Sequence, residues 1–183
     1  RTGFPLPLAE AASFDLDAIE RGSRCAAKEA SAAGLHWTFA PMVDISWDAR
    51  WGRVMEGAGE DPYYGSLVAK ARVRGFQGDD LSKENTILSC IKHFAGYGAP
   101  AAGKDYNSVD MSMGQFANFY MPPYKAGAEA GAATFMSAFN DFNNATDVIK
   151  EQPLDYLNMK MKIQKSGNKP KRFVIESLQA DEM

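Results

Sequence analysis

Long apolar runs are missing from this sequence. No stretch of its 183 residues approaches the ~20 apolar positions of a membrane-spanning helix, so no membrane partner is expected. A basic excess is missing too. The formal charge is −3, and without clustered cations to meet phosphates no nucleic-acid partner is expected. Cysteine is scarce, with Cys25 and Cys90 alone, at no metal-ligand or redox spacing. Each falls in a predicted element, one helical and one extended, so both are expected to be buried packing residues rather than a disulfide. No G-x-G-x-x-G follows a predicted strand, which removes the case for dinucleotide binding. Neither a cofactor nor a metal is expected. The chain opens at Arg1-Thr2-Gly3 without a charged region followed by an apolar one, so no targeting segment is expected within it.

What is present is a globular composition, 45% hydrophobic, enough for one domain with a real core. Its most informative stretch is an apolar run over residues 87–91 followed by Lys92-His93-Phe94-Ala95-Gly96-Tyr97-Gly98. Such a run, closed by a glycine-rich turn, reads as a buried strand. In α/β domains the chemistry gathers at the C-terminal ends of strands, where side chains leave the sheet for the loops. Two readings of the pair are open: a ligand-facing cation and imidazole, or a snorkelling lysine beside a core histidine.

Other elements arrange themselves around this strand. Residues 14–33 read as a helix capped by Ser13 or Asp15, with Leu16, Ile19, Ala26, Ala30 and Ala33 inward and Gly34 as its stop. Residues 35–41 read as a strand, with Trp37 and Phe39 on one face. Residues 42–59 form a long loop carrying Asp44, Trp47, Asp48, Arg50, Trp51, Arg53 and Glu56, with Glu60 just beyond. Rings among charges suit a sugar, whose faces are apolar and whose edges are hydroxyls; a rigidifying Arg–carboxylate network is the alternative. Asp61-Pro62 opens a helix running to about Phe76. After the Lys-His strand, a loop over residues 96–110 offers Lys104, Asp105, Tyr106 and Asn107. A helix capped by Ser112 follows, kinked or restarted at Pro122-Pro123, and then a strand over residues 132–139. Helix and strand alternate, which predicts right-handed βαβ units and a parallel sheet.

The tail differs. Residues 153–183 hold six Lys/Arg and four acids, a charge of +2 that leaves −5 on residues 1–152. No chemical constellation stands out there.

Several motifs together resemble glycoside hydrolase family 3, with bacterial periplasmic-type β-glucosidases the nearest likeness. They are Asp48-Ala49-Arg50-Trp51-Gly52-Arg53, Gly59-Glu60-Asp61-Pro62, the Lys92-to-Gly98 stretch, Asp105-Tyr106-Asn107, and Met121-Pro122-Pro123-Tyr124-Lys125-Ala126-Gly127. The resemblance covers residues 1–152 and leaves 153–183 as a divergent tail of unknown fold. It implies an α/β fold, a partial (β/α)8 TIM-barrel-like domain with parallel strands, truncated or completed atypically by the tail. It implies a retaining β-glucosidase-like activity on a glucoside or oligosaccharide, releasing terminal β-D-glucose in carbohydrate catabolism, with a periplasmic or secreted location. It further implies substrate binding by Arg53, Lys92, His93 and Phe139, support from Asp48, Arg50, Glu60 and Asp105, and a strained or cis peptide near Lys92-His93.

Departures from the pattern bear on catalysis. Phe139 stands where many members have tyrosine, keeping the ring without the hydroxyl. Members carry their nucleophile in a Ser-Asp pair beyond the strand that ends near Phe139, and no Ser-Asp pair occurs there. The catalytic aspartate and the acid/base glutamate are therefore expected outside this chain, which alone is expected to be inactive. Its expected partners besides carbohydrate are the missing part of the enzyme or a second copy. A non-catalytic carbohydrate-binding or structural fragment is the alternative. The local carboxylates Asp44, Asp48, Glu56, Glu60, Asp105 and Asp141 are expected mostly to pair with Arg50, Arg53 or Lys104.

Overall fold

A computed structural model of the chain describes residues 2–143. The positively charged tail, residues 153–183, and the segment joining it lie outside the described residues.

Helix α1, Pro7–Ala11, is a single turn that the sequence pattern does not signal, being five residues opened by proline. Helix α2, Leu16–Ala32, is capped as expected: Asp15 accepts from the Ala18 amide at 2.8 Å. Its sealed face carries Ile19, Ser23 and Ala27. Cys25 lies off that stripe and is exposed, contrary to expectation, whereas Cys90 is buried. Helix α3, Pro62–Gln77, starts at an Asp61 cap and crosses α2 at Gly75. A Cβ at Gly75 would lie 2.4 Å from the Ser23 Cβ and 2.5 Å from the Glu20 carbonyl, so only glycine permits this approach.

The Lys-His strand forms as β1, Cys90–Phe94, three residues further along than the sequence reading placed it. It pairs in parallel with β2, Thr134–Ser137, through Cys90↔Thr134, Ile91↔Phe135 and Phe94↔Ser137. The register is irregular between Ile91 and Phe94. Within that interval the Lys92–His93 peptide is cis, and so is Phe94–Ala95 just after it. Residues 35–41 do not form the strand expected of them. They meet the segment ahead of β1 at a single parallel bridge, Trp37↔Leu88, and Met42↔Lys92 adds a second. Between the two bridges the Cys90 and Lys92 amides donate to the Ala40 and Pro41 carbonyls at 2.8 and 3.2 Å, but Pro41 has no N–H to return a bond. Trp37 and Phe39 still meet edge to face, their centroids 4.7 Å apart.

Helix α4, Met113–Gln115, begins at a Ser112 cap and widens into a π-helical turn over Phe116–Tyr120. Helix α5, Met121–Glu129, then restarts with Pro122 and Pro123 in its first turn, where the missing N–H costs no helical bond. The main core packs Val43, Ile45, Val73, Ile91, Phe94, Val109, Phe116, Tyr124 and Phe142 between helices and strands. Ile91 and Val73 are fully enclosed, and each such side chain contributes about 1.5–3 kcal/mol of burial. The described residues thus form an α/β unit with parallel strands, and β1 runs through its centre.

Candidate functional site

The site grows from the C-terminal end of β1. Lys92 and His93 are adjacent there, yet they meet different partners. The Lys92 ammonium reaches Glu56 Oε2 at 3.5 Å. Arg53, from the long loop, grips the same carboxylate with Nε on Oε1 at 2.6 Å and Nη2 on Oε2 at 2.9 Å. Arg53 and Lys92 therefore converge, and the parallel bridge Met42↔Lys92 sets the start of the Arg53 loop beside β1. Hydrogen bonds from Arg53 hold the Glu56 carboxyl below its ordinary value, and burial opposes them without prevailing. Glu56, read from the sequence only as one loop charge among several, is the hinge of this cluster.

His93 is turned the other way. Its Nδ1 lies 2.9 Å from Asp44 Oδ2, and its backbone N–H donates to the same oxygen at 2.9 Å. The Asp44 side chain is wholly enclosed. Its other oxygen accepts from the Tyr124 hydroxyl of α5 at 2.5 Å, and that hydroxyl also lies 2.7 Å from the His93 carbonyl. Burial, with Asp44 alongside, pushes the Tyr124 phenol far above its usual range, so it stays a donor. The glycine turn brings these pieces together. A Cβ on Gly98 would sit 2.1 Å from the Ile45 carbonyl oxygen, so the backbone after Asp44 can pass there only against glycine.

A second layer is aromatic. The buried Trp51 and Tyr97 rings meet edge to face at 5.3 Å, and both donate to Asp105 Oδ1, at 2.8 and 2.5 Å. Burial raises the Asp105 carboxyl, but those two bonds, together with the Arg53 charge and the Tyr106 amide, more than offset it and leave it lowered. The Arg53 guanidinium lies 5.6 Å from the Tyr97 centroid, within cation–π range. Phe139 packs against His93 and Tyr97 at 5.7 and 5.6 Å while remaining 45% exposed.

Arg53, Lys92, His93 and Phe139 thus come together, with Asp105 behind them. Asp48 and Arg50 pair with one another at 2.6 Å, in a clamp that pulls the Asp48 carboxyl down to about 2. Glu60 is exposed, and the bond recorded there is from the Trp47 indole to its backbone carbonyl. Two pairings differ from expectation. Asp105 is satisfied by Trp51 and Tyr97 rather than Lys104, and Asp44 by His93 and Tyr124 rather than an arginine. At the depth of Asp44 such donors serve better, because a buried arginine would itself have to shed water. Asp105 is exposed, and there the choice follows from Trp51 and Tyr97 lying beside it. Asp44 had a sequence signal: a lone acid inside the apolar run Met42-Val43-Asp44-Ile45. Tyr124 had none beyond its motif. Among the described residues no group of three or more His, Cys, Asp or Glu side chains is placed to hold a metal ion.

The family model described as the glycosyl hydrolase family 3 N-terminal domain matches residues 1–163. The chain belongs to this family. It is 48% identical over 143 residues to a periplasmic β-glucosidase of Salmonella typhimurium, covering 78% of this chain and 19% of that protein. A β-xylosidase of Formosa agariphila is 35% identical over 146 residues, covering 78% and 20%. Among solved structures, a Listeria innocua β-glucosidase in complex with glucose superposes with a TM-score of 0.77 at 46% identity, covering 78% of this chain and 20% of that one. A mutant of the same enzyme in complex with laminaribiose gives 0.78 at 45% identity, covering 79% and 20%. This family 3 chain spans about a fifth of the length of the relatives it matches.

Proposed function

We propose that this chain supplies the sugar-recognition part of a retaining β-glucosidase that releases terminal non-reducing β-D-glucose. The observation that carries the reading is the convergence of Arg53 and Lys92 on one carboxylate beside His93. Two cations sharing Glu56 leave donors for hydroxyl oxygens, while Glu56 accepts from hydroxyl protons. The half-exposed Phe139 ring offers an apolar surface to a sugar face. Relatives named as β-glucosidases, one of them solved with glucose, support the same substrate class.

Under this reading the parallel strands are the opening portion of a (β/α)8 barrel, residues 1–152 its segment, and the site its mouth. Asp48 with Arg50 would stiffen the long loop, and Glu60 would support its far end. Retaining hydrolysis needs two carboxyl groups about 5–5.5 Å apart, as nucleophile and acid/base. The chain has no Ser-Asp pair beyond Phe139 to provide the first. Those groups come from the rest of the enzyme, and this chain binds and orients the sugar for them. A periplasmic location follows the Salmonella relative's name.

The test is a pair of assays on the purified 183-residue chain. Glucose should shift NMR signals of residues around Lys92 and His93, while an aryl β-glucoside should not be cleaved. Cleavage that disappears in Asp141→Asn, the carboxylate nearest the nucleophile's place, would overturn the division of labour. A glucose titration that leaves every signal unmoved would overturn the sugar site.

A further inference from the structure

Asp44 is an expensive residue to bury. A carboxylate with no exposed side-chain surface, flanked by Val43 and Ile45 of the main core, is tolerated only when its oxygens are satisfied. All three donors that satisfy it involve His93 or its immediate support: the His93 amide, the His93 ring, and a Tyr124 hydroxyl that also reaches the His93 carbonyl. The carboxylate thus spends its whole bonding capacity on one histidine.

The consequence falls on the imidazole. A carboxylate oxygen only accepts, so the ring nitrogen facing it must carry the proton. With Nδ1 protonated, Nε2 is left as the ring's second polar atom, and it has no hydrogen-bond partner among the described residues. Nε2 is not one of the enclosed unpaired polar atoms among the described residues, which are Arg72 Nε and Asn140 Oδ1, so the small surface that His93 keeps leaves this nitrogen open to an incoming group. The ring also cannot swing to find a partner, because Tyr97 at 5.0 Å and Phe139 at 5.7 Å close on it.

We infer that Asp44 is a positioning residue: it fixes the His93 tautomer and aims an unprotonated Nε2 at a ligand hydroxyl, with Tyr124 bracing both. This rests on the sugar-site reading for the ligand's identity but not for the tautomer. Nε2 then accepts from an O–H, which complements the pure donors Arg53 and Lys92. A hydroxyl between Lys92 and His93 can accept from the first and donate to the second, and that sets its orientation.

Long-range proton–nitrogen NMR of the full chain tests this, and with only His36 and His93 present the spectrum is simple. Exposed His36 serves as the internal reference for an unconstrained ring. At neutral pH the His93 pattern should be that of Nδ1–H with a bare Nε2. In Asp44→Leu it should move toward the mixed pattern of His36, and glucose affinity should fall by up to about tenfold, as for loss of one hydrogen bond between neutral groups. Asp44→Asn should keep the wild-type tautomer, since its amide oxygen can accept both His93 bonds while its NH2 donates to the Tyr124 oxygen. A wild-type His93 protonated on Nε2 overturns the inference whatever the variants do. So does a folded Asp44→Leu whose tautomer is unchanged. If wild type shows the Nδ1–H form but glucose leaves Nε2 unmoved, the positioning role stands and the sugar site falls.

Discussion

Two ion-paired regions of this molecule use the same residue types to opposite ends. On the helical side, Arg72 of α3 meets Glu10 of α1 at 2.5 Å, both side chains largely enclosed, and the charges cancel one to one. Tyr64 adds a second tie there, donating to the Ala11 carbonyl at 2.7 Å. At the end of β1, Glu56 faces two cations, so one carboxylate is shared between Arg53 and Lys92. The first arrangement is a strap between helices. The second leaves donors over, which is what hydroxyl recognition requires. Pairing number, more than pairing distance, separates a structural contact from a site.

The sharpest way to break the comparison is to push each region apart with one methyl group. Gly98→Ala drives a Cβ into the Ile45 carbonyl 2.1 Å away, and backbone cannot yield as a side chain can. We expect a loss of about 3 kcal/mol or more in urea denaturation, with glucose binding abolished. Gly75→Ala, equally crowded against Ser23 and Glu20, should cost a similar amount. Its folded fraction should bind glucose as wild type does. Equal loss of binding in both variants would mean the two regions are not separable.

Next in size is Glu10→Gln. It strands the Arg72 guanidinium, whose charged form burial already disfavours. Stability should fall by about 2 kcal/mol, because removing one partner leaves a buried charge uncompensated. Glucose affinity should stay within about twofold. Its mirror at the site is Glu56→Gln, where the pair is open to solvent and stability should fall by less than about 1 kcal/mol. Glucose affinity, in contrast, should drop about tenfold in a calorimetric titration, for loss of a charged acceptor. Opposite outcomes for the two glutamates would assign the strap and the site the wrong way round.

The same contrast explains what could be read in advance. Helix α3 was legible because cap, proline and spacing all agree, and its start at Pro62 follows from Asp61. The Lys-His strand was legible as an element but three residues out, since its apolar run begins at Ile87 while the ladder to β2 begins only at Cys90. Residues 35–41 misled because β-rich composition does not reveal that the segment pairs only at isolated bridges, with Pro41 unable to donate. The site residues Arg53, Lys92 and His93 were legible through motifs, but their partners were not. Glu56 is three residues from Arg53 and Asp44 is forty-nine from His93. Local spacing can suggest the first pairing, and only the folded chain makes the second.

The smallest effect concerns pH and isolates Glu56 from its neighbours. Arg53 is the main reason its carboxyl sits below the ordinary 4.5, with Lys92 assisting. Unfolding releases the group to that ordinary value. Between the lowered native value and 4.5 the unfolded chain therefore binds more protons, and stability rises with pH across that interval. The contribution is complete above 4.5 and disappears as acid carries the pH down through the native value. Asp48 and Asp105 are lowered as well, so a falling midpoint in wild type alone says little. The difference between wild type and Glu56→Gln removes them. Urea midpoints of the two should run parallel from pH 8 to about 5 and draw together below it. Glu56 is 35% exposed, so the convergence should amount to less than about 1 kcal/mol. Midpoints that stay parallel down to pH 3 would mean the carboxylate gains nothing from its two cations, and the shared pairing of Arg53 and Lys92 would then have no anchor.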